Sequence, residues 1–355
     1  MTVRVLGLFD NGDEGGRGGV RDGPPTRSFA YGAQLLAGDG FELLRVNPAR
    51  NALHRKVRDA VEHRSGLAVD RTVRSARAAA RADAVLAFLE REGTLASRLR
   101  ARGVWPMRHT PLVVLSCWWA EELRTGDAAA RERIRRHAAG IDRLLVLSSN
   151  QVGILAEHGV DPDRVVPVRF SVDADWYGPD LAVERDRDVV AVGIDRGRDF
   201  DTLVEAARRL PGARFDVITQ PGRVDPATAP ANVHLHGPVA PEEYRRWLRS
   251  ARVVAVPTHD LAYPTGQSVL LEASATGACV AVTRTAAMED YVRDGETAVG
   301  LPLHDPVGTA EVLGSLLADD ERRRRVGQAA RAAVTGSFAY PGMWGEVRGV
   351  IRGLL

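Results

Sequence analysis

Two loops in the second half of the chain carry residue types that suit phosphate binding. Residues 193–199 follow an apolar run and include Gly193, Arg196 and Arg198. A guanidinium group binds two phosphate oxygens at once because its planar fork matches their spacing. Residues 264–268 read PTGQS and precede helical sequence, so hydroxyls and backbone N–H groups at a helix N-terminus are also available there. Together the two loops predict an anion site.

The first loop has a second interpretation. Asp199 and Asp201 follow the two arginines, so the loop is also compatible with an exposed turn in which arginine and aspartate form ion pairs. Asp201 is predicted to be the N-cap of the next helix, because a carboxylate accepts hydrogen bonds from the first N–H groups of a helix. The sequence alone leaves both interpretations open.

One carboxylate lies in an apolar segment. Glu272 is surrounded in the sequence by Leu270, Leu271 and Ala273. Burying an unpaired charge is costly, so this side chain needs a partner or a ligand. A ribose offers two vicinal hydroxyl donors to one carboxylate. A structural ion pair with an arginine is the alternative.

A glycine-rich run occupies residues 10–25 and contains Gly15 and Gly16. Its GGRGG spacing differs from GxGxxG, so the run is weak support for a dinucleotide-binding loop. Glycines allow a backbone to approach a ligand closely, which is the functional interpretation of this run. The alternative is a loop without a ligand role.

Several catalytic signatures are absent from the sequence. HExxH and GxSxG do not occur, and Lys56 is the only lysine, so a P-loop is excluded. His234 and His236 alternate on a short strand, where a metal site is not expected. His259 directly follows a strand end and is the histidine to examine for a functional role. We predict no metal site.

The composition bounds the class of protein. The 355 residues suffice for two domains, and 45% apolar and 26% charged residues are typical of a globular chain. A net charge of +2 does not favour nucleic-acid binding. We expect no transmembrane helix and no signal peptide, because neither pattern occurs. Cys117 and Cys279 form no metal spacing and no disulfide framework, so we expect a reducing cytoplasm.

Apolar runs and helical segments alternate along the chain, which is typical of doubly wound parallel sheets. The predicted strands are residues 3–9, 41–46, 84–89, 112–116, 143–147, 165–168, 188–192, 213–219, 233–235, 253–256, 278–282 and 298–301. The predicted helices are residues 28–36, 55–81, 94–102, 131–139, 149–158, 200–210, 241–250, 267–276, 306–317, 321–334 and 341–355. Polar residues 169–187 separate the two halves and predict an interdomain linker. The predicted fold class is α/β, with two Rossmann-like doubly wound parallel-sheet domains facing a central cleft.

Segments from residue 142 onward resemble the retaining glycosyltransferases of family 4, which have the two-domain GT-B fold. The segments that carry the resemblance are DRLLVLSSNQVGILAEHGVDPDRVVPVRFSVD at 142–173, GIDRGRDFDTLVEAARRL at 193–210, HLHGPVAPEEYRRWLRSARVVAVPT at 234–258, GQSVLLEASATGACVAVT at 266–283 and DGETAVGLPLHDP at 294–306. The resemblance implies an acceptor domain at 1–170, completed by a C-terminal helix at about 338–355, and a donor domain at 171–337.

The resemblance also implies roles for individual residues. Arg198 would neutralise the donor diphosphate with help from Arg196, and Glu272 would hold the nucleotide ribose. Trp118 and Trp119, near a strand end, are predicted to lie on the acceptor side. The other implied donor contacts are Thr265, Gly266, Gln267 and Ser268 at the phosphates and sugar, Gly237 and Val239 at the nucleobase, and Gly193, Gly15 and Gly16 where the backbone approaches the donor.

Two positions depart from the family pattern. Pro264 stands where a sugar-facing glutamate is usual, and Ile194 stands where a second phosphate-binding arginine is usual. Arg196 lies close enough in the sequence to replace that arginine. The departure at Pro264 puts the identity of the donor sugar in question more than the nucleotide.

The resemblance implies transfer of a sugar, with retention, from a nucleotide-diphosphate sugar of the UDP or GDP type to an unidentified small-molecule acceptor. It requires no cofactor and no metal, and the expected partners are the donor and the acceptor, without nucleic acid. Two alternatives remain at this point. One is a pseudo-glycosyltransferase or epimerase on the same fold, and the other is a non-catalytic nucleotide-sugar binder, which fits the proline at position 264.

Overall fold

The computed structural model describes residues 2–9, 30–45 and 51–355. The chain divides into two compact units: unit 1 comprises Met1–Arg169 and Pro341–Leu355, and unit 2 comprises Phe170–Tyr340. The predicted boundary between residues 170 and 171 is one residue from this division. The acceptor and donor roles of the two units remain predictions.

Unit 1 contains a parallel sheet of β1 (Val3–Phe9), β2 (Phe41–Leu44), β3 (Ala84–Phe88), β4 (Leu112–Ser116), β5 (Arg143–Val146) and β6 (Val165–Pro167). The strand order is β2-β1-β3-β4-β5-β6. Leu86 pairs with Val113, and Val114 pairs with Leu144. All four side chains are buried, because helices cover both faces of a parallel sheet.

The helices in this part of unit 1 are α1 (Ala52–Ser65), α2 (Val69–Arg74), α3 (Ala76–Ala79), α4 (Glu90–Ala101), α5 (Trp119–Thr125), α6 (Ala128–Ala138) and α7 (Asn150–Glu157). The single helix predicted over 55–81 is therefore wrong. Gly66 ends α1 with a left-handed φ of 67°, a conformation that glycine adopts without the steric cost of a Cβ. Helix α5 was not predicted, because its sequence continues directly from the end of β4.

The predicted helix at 28–36 also differs from the structure. Its described part, Ala30–Leu36, is an irregular 3₁₀ segment in which Tyr31 and Gly32 have φ values of 57° and 69°. Left-handed residues interrupt a right-handed helix, so an α-helix cannot run through this segment. Ser28, the predicted cap, lies outside the described residues.

Unit 2 contains β7 (Arg187–Val192), β8 (Phe215–Ile218), β9 (Val233–His236), β10 (Ala251–Val256), β11 (Cys279–Thr283) and β12 (Val299–Leu301). These strands form a parallel sheet in the order β12-β11-β10-β7-β8-β9. Its helices are α8 (Phe200–Arg208), α9 (Pro241–Ser250), α10 (Gln267–Ala275), α11 (Pro306–Ala318) and α12 (Asp320–Ser337). The two six-stranded parallel sheets with their helices confirm the predicted α/β class of two Rossmann-like units.

Alternate residues of the unit 2 strands face opposite sides of the sheet. Val189 and Val253 belong to a core cluster that also contains Leu203 of α8. Their neighbours Val190 and Val254 are fully buried as well. Both faces are therefore covered, and the loops at the carboxyl edge of the sheet are the part of unit 2 best placed to meet a ligand.

Most of the predicted linker is bound to unit 2. The N–H of Val172 donates to the carbonyl of Phe338 at 2.9 Å, and the N–H of Tyr340 donates to the carbonyl of Val172 at 3.1 Å. Arg185 donates to three backbone carbonyls of unit 2 at distances of 2.9–3.0 Å. The segment that follows residue 169 is thus an integral part of unit 2.

The last helix, α13 (Tyr340–Arg352), packs on unit 1. Trp344 is fully buried, and its Nε1 donates to the carbonyl of Tyr31 at 3.0 Å. Arg348 donates to the carbonyl of Leu35 at 2.6 Å. In the ranges that the structure describes, none of the helices has the length and hydropathy needed to cross a membrane.

Candidate functional site

The loops after β7 and β10 lie side by side at the carboxyl edge of the unit 2 sheet. The two strands are parallel neighbours, so their carboxyl ends meet. The N–H of Asp199 donates to the carbonyl of Pro257 at 3.1 Å, and the N–H of His259 donates to the carbonyl of Gly197 at 2.9 Å. The structure thus brings the two predicted loops together at the edge where α/β sheets bind ligands.

Arg198 lies buried between two glycines of these loops. Its residue is only 4% exposed. A Cβ atom at Gly193 would collide with Nε, Cγ and Cδ of Arg198, and a Cβ atom at Gly266 would collide with Nη1. Gly193 and Gly266 therefore make room for the guanidinium group, which is a different contribution from direct contact with a ligand.

Asp195 is the charge partner of Arg198. Its Oδ2 lies 3.1 Å from Arg198 Nε, while its Oδ1 accepts hydrogen bonds from the Thr265 hydroxyl at 2.8 Å and from the Gly197 N–H at 2.9 Å. Burial alone would raise the pKa of Asp195, but Arg198 and these hydrogen bonds outweigh burial, so the pKa lies below its usual value. Asp195 is thus an anion that holds Arg198 in place.

Two nitrogens of Arg198, Nε and Nη1, are buried and have no hydrogen-bond partner among the residues that the structure describes. Nε lies 3.1 Å from Asp195 Oδ2, so Nη1 is the nitrogen for which a ligand would supply the missing acceptor. Leaving a buried donor unsatisfied costs about 1–3 kcal/mol, and more for a charged group. Gly266, which would collide with Nη1 if it carried a Cβ, is the N-cap of α10 with φ 90° and no side-chain cap. The guanidinium group and the helix N-terminus therefore attract an anion to one place.

The side chains at the start of α10 make contacts within the protein. Thr265 is 2% exposed and donates to Asp195, and Gln267 is equally buried and donates from Nε2 to the Tyr263 hydroxyl at 2.8 Å. Ser268 is half-buried. Thr265 and Gln267 thus fix the shape of the loop, and its backbone N–H groups are the better candidates for contact with an anion.

Glu272 is held by a tyrosine of α9. The Tyr244 hydroxyl donates to Glu272 Oε2 at 2.5 Å. Burial raises the pKa of Tyr244 well above its usual value, and Glu272 and Tyr177 add to the rise. Arg198 lowers the pKa of the same hydroxyl, so the guanidinium group lies within electrostatic reach of the Tyr244–Glu272 pair. These residues form one charged cluster.

The first loop exposes two side chains. Ile194 is 59% exposed, and Arg196 is exposed as well. Arg196 therefore lies on the same loop as Arg198 but at its surface. Pro264, at the other loop, is buried.

The remaining predicted donor contacts are distributed elsewhere. Gly237 follows β9 and is exposed, and Val239 is half-buried two residues later. Gly15 and Gly16 lie outside the described residues. The structure places Gly237 and Val239 at the carboxyl end of β9, the same edge of the sheet as the Arg198 loop.

Asp199, and not Asp201, caps α8. Its Oδ1 accepts from the Thr202 N–H at 3.1 Å and its Oδ2 accepts from the Thr202 hydroxyl at 2.7 Å. The prediction of Asp201 as the N-cap is wrong, because the helix begins at Phe200 and Asp201 lies in its first turn. The main role of Asp199 in the structure is therefore to cap α8, and not to form the ion pair with arginine that the sequence also allowed.

The structure separates the two predicted acceptor-side residues of unit 1. Trp119 is 4% exposed and packs against His137 with ring centroids 6.2 Å apart. Trp118 is half-buried at the start of α5, and its N–H donates to Glu90 Oε1. Of the two rings, only that of Trp118 is accessible at the surface.

Sequence reasoning missed Asp195 and Tyr244. Asp195 lies between Gly193 and Arg198, but the ion pairs considered for this loop involve only Asp199 and Asp201. Tyr244 lies on a different helix from Glu272, and no local pattern links the two. The signal that could have found them is the need of a buried charge for a partner.

Two Rossmann-like units with six-stranded parallel sheets define the GT-B architecture, and solved structures of that class match the whole chain. Sucrose-phosphate synthase from Thermosynechococcus elongatus aligns with a TM-score of 0.71 and 16% identity, covering 99% of each chain. HepE of Anabaena in complex with UDP aligns with a TM-score of 0.72 and 12% identity, covering 99% of this chain and 100% of that one. At these identities the likeness shows the fold.

Sequence comparisons identify relatives. Residues 198–343 match the family described as glycosyl transferase-like. D-inositol 3-phosphate glycosyltransferase from Corynebacterium efficiens is 28% identical over 251 residues, which cover 62% of this chain and 58% of that protein. Its counterpart from Xylanimonas cellulosilytica is 32% identical over 204 residues, which cover 50% of this chain and 48% of that protein. The chain therefore spans about half the length of these curated relatives. Fold and relatives together confirm the predicted resemblance to the GT-B glycosyltransferases.

Proposed function

We propose that the protein is a retaining glycosyltransferase of family 4 that moves a sugar from a UDP- or GDP-type sugar donor to a small-molecule acceptor. The observation that carries this proposal is the buried Arg198 guanidinium, whose Nη1 has no acceptor in the part of the chain that the structure describes and lies against the N-terminus of α10. The proposal is supported by relatives that are named glycosyltransferases and by HepE, a structure of like fold solved with UDP.

In this proposal Arg198 stabilises the leaving group. Breaking the bond between the anomeric carbon and the diphosphate leaves negative charge on the phosphate oxygens. A donor that is already oriented toward such charge contributes roughly 10²–10³-fold to the rate. Asp195 holds Arg198 in place at 3.1 Å before any ligand arrives, so little reorganisation is needed during the reaction. Arg196 would approach the same diphosphate from the exposed side of the loop.

The diphosphate would also receive hydrogen bonds from the backbone at residues 266–268, where α10 begins. This assignment gives the stabilisation of the leaving group to arginine and backbone N–H groups and does not require a metal ion. The acceptor would attack from the face that the diphosphate leaves, which gives retention of configuration. Trp118 is the proposed contact on the acceptor side.

Glu272 is the proposed ribose ligand. A ribose diol can donate two hydrogen bonds to one carboxylate, and Tyr244 already fixes the Glu272 side chain through Oε2. Gly237 and Val239, at the end of β9, would border the nucleobase. Gly15 and Gly16 keep their proposed role in donor binding on the strength of the resemblance alone.

The first experiment identifies the nucleotide. Thermal unfolding of the full chain is measured with UDP, GDP, ADP and TDP, because a ligand that binds the native state raises its stability with the logarithm of ligand excess over Kd. We expect one diphosphate to raise Tm more than the others. Turnover is then measured with the matching sugar donors, and the anomeric configuration of the product is read by NMR.

The second experiment tests the role of Arg198. Arg198→Met keeps an apolar stem and removes the charge, and we expect turnover to fall at least about 100-fold. Arg246→Ala, an exposed arginine on α9, is the matched control. An unchanged rate in Arg198→Met would refute the assignment. Binding of a diphosphate sugar without any turnover would favour the non-catalytic alternative, and an altered sugar without transfer would favour an epimerase.

A further inference from the structure

Three potential metal ligands converge beside the Arg198 loop. Asp199 precedes α8, His259 follows β10 and His304 follows β12. One ligand atom from each lies within 4.8 Å of the other two. His304 Nδ1 lies 2.8 Å from Asp199 Oδ2, and the two imidazole rings have centroids 5.2 Å apart. The three residues come from three separate loops at one edge of the sheet.

The backbone holds these side chains in place. His304 has a left-handed φ of 52°, a conformation that is uncommon for a residue with a side chain and that glycine adopts freely. Asp305, the next residue, accepts hydrogen bonds from the first N–H groups of α11, so position 304 is fixed by the start of that helix. The structure thus keeps a histidine at a position where its backbone is strained, which is a recurring property of functional sites.

The surroundings also hold the other two residues. Both oxygens of Asp199 are hydrogen-bonded to Thr202, at 2.7 Å and 3.1 Å, and such contacts are typical of metal ligands because they fix the direction of the carboxylate oxygens. The backbone N–H of His259 donates to the Gly197 carbonyl, which fixes the main chain at this position. Asp199 is buried, His259 is half-buried and His304 is exposed, so an ion has an entry path from the solvent side.

We propose that Asp199, His259 and His304 bind a divalent transition-metal ion of the zinc type. Two imidazole nitrogens and one carboxylate oxygen form an established donor set for zinc, and water would occupy the fourth position. Ligand atoms about 2.0–2.1 Å from a tetrahedral ion are roughly 3.3 Å apart. The 2.8 Å distance between His304 and Asp199 would therefore open by about 0.5 Å, and ligand atoms at the 4.8 Å limit would approach by about 1.5 Å. The ion would join the three loops and hold the backbone next to Arg198. This inference goes beyond the proposed function and does not depend on it.

The test uses the full chain without a polyhistidine tag, stripped of metal with a chelator. Zinc binding is measured by calorimetry, and cobalt is added separately because its visible spectrum reports tetrahedral nitrogen and oxygen ligands. We expect one equivalent of zinc per chain. His304→Gly and His259→Gln should each weaken binding at least about tenfold. His109→Gln, an exposed histidine of unit 1, should bind zinc like the unaltered protein.

His304→Gly keeps the test decisive, because glycine relieves the left-handed strain and this offsets the loss of the His304–Asp199 contact in the metal-free protein. Failure of the unaltered chain to bind one equivalent of zinc would overturn the proposal. Unchanged affinity in both histidine variants would also overturn it, since the ion would then bind elsewhere. The binding assay contains no nucleotide, so neither outcome bears on the glycosyltransferase proposal.

Discussion

Each unit places a charged residue just beyond a strand at the carboxyl edge of its sheet, and the surroundings treat the two charges differently. In unit 1, Oε1 of Glu90 accepts hydrogen bonds from the Ser116 hydroxyl and from the N–H groups of Cys117 and Trp118. In unit 2, Arg198 has an ion pair with Asp195 through Nε, and its buried Nη1 has no acceptor among residues 2–9, 30–45 and 51–355. Buried polar groups are nearly always paired, so the unpaired nitrogen indicates a ligand and the paired carboxylate indicates a structural role.

Backbone strain agrees with this difference. Leu89, directly before Glu90, has φ 79° and ψ 149°. A strained residue of this kind costs on the order of 1–3 kcal/mol and persists only where its surroundings hold it. The three hydrogen bonds to Glu90 supply that support. In unit 2 the left-handed position next to Arg198 is a glycine, Gly266, so the loop keeps its shape without a comparable cost.

The largest expected effect comes from filling the space that Gly266 leaves for Arg198. In Gly266→Ala the new Cβ would collide with Arg198 Nη1 and Val256, and the residue would have to keep φ 90°. We expect turnover to fall roughly 100-fold or more, because the guanidinium group can no longer point at the diphosphate. Steady-state rates with the donor identified by thermal shift provide the measurement.

Gly212→Ala is the matched control for this substitution. It adds a methyl group at an exposed turn of the same unit, with nothing within 4 Å of the new Cβ. If Gly266→Ala retained full activity, Nη1 of Arg198 would not be the ligand contact. The contrast between a ligand-binding Arg198 and a structural Glu90 would then be refuted.

The second prediction tests the structural role of Glu90. Glu90→Ala removes the acceptor of three donors, so we expect the free energy of unfolding of unit 1 to fall by roughly 1–3 kcal/mol. Chemical denaturation followed by tryptophan fluorescence reports this, because four of the six tryptophans lie in unit 1. Diphosphate binding by unit 2 should not change.

Glu42→Ala, an exposed carboxylate on β2, is the control for the loss of a charge. Stability equal to that of the control would show that the hydrogen bonds to Glu90 contribute nothing measurable. A loss of diphosphate affinity in Glu90→Ala would mean that this carboxylate belongs to the ligand site after all.

The fold could be predicted from the sequence much further than the site. Each observed strand overlaps a predicted apolar run, because strands buried on both faces are nearly continuous runs of Val, Ile, Leu and Ala. The errors arose where one local signal was ambiguous. Helix α5 follows β4 without a glycine or proline between them. In the sequence DFD, Asp199 and Asp201 are two residues apart and both can cap a helix, and the prediction named the wrong one.

The candidate residues Arg198 and Gly266 were predicted from two loops that a parallel sheet brings to one edge. Glu272, within α10, was predicted from its apolar neighbours, and the roles of all three come from the family resemblance and stay predictions. The pairs Arg198–Asp195 and Glu272–Tyr244 depend on side-chain distances that no spacing rule gives. The contact between His259 and His304 joins two loops far apart in the sequence. Predicting it would have required the register of β10, β11 and β12.

The third prediction concerns the support of Glu272. Tyr244→Phe removes the hydroxyl that donates to Oε2 of this carboxylate at 2.5 Å. If Glu272 binds the ribose, we expect KM for the donor to rise roughly threefold to tenfold with little change in kcat, the effect of losing one hydrogen bond. Tyr31→Phe, in unit 1, is the control for the loss of a tyrosine hydroxyl. An unchanged KM would argue that Glu272 is a structural residue like Glu90.

The smallest expected effect is on the pH dependence of unfolding, and it concerns how arginines act on titratable groups in the two units. In unit 2, Arg198 helps to keep Asp195 charged. In unit 1, the pKa of His137 is lowered to about 4, mainly by burial and in addition by the nearby arginines Arg98, Arg133 and Arg136. His137 Nε2 accepts hydrogen bonds from Arg98 at 2.7 Å and 3.0 Å, so the folded state requires the neutral imidazole.

The sign of the pH effect follows from these pKa values. An unfolded histidine takes up a proton near pH 6.5, whereas folded His137 does so only near pH 4. The unfolded state therefore binds more protons between these values, and unit 1 loses stability as pH falls from about 6.5 to 4.

His137→Gln keeps a side-chain acceptor for Arg98 and does not titrate, so its unfolding free energy should depend less on pH. The slope should decrease by an amount that corresponds to the uptake of at most about one proton on unfolding. His109→Gln should retain the slope of the unaltered protein. The unfolding free energy is measured in urea between pH 7 and 4.5. If its slope against pH were the same in His137→Gln and in the unaltered protein, burial and the arginines of unit 1 would not keep this imidazole neutral.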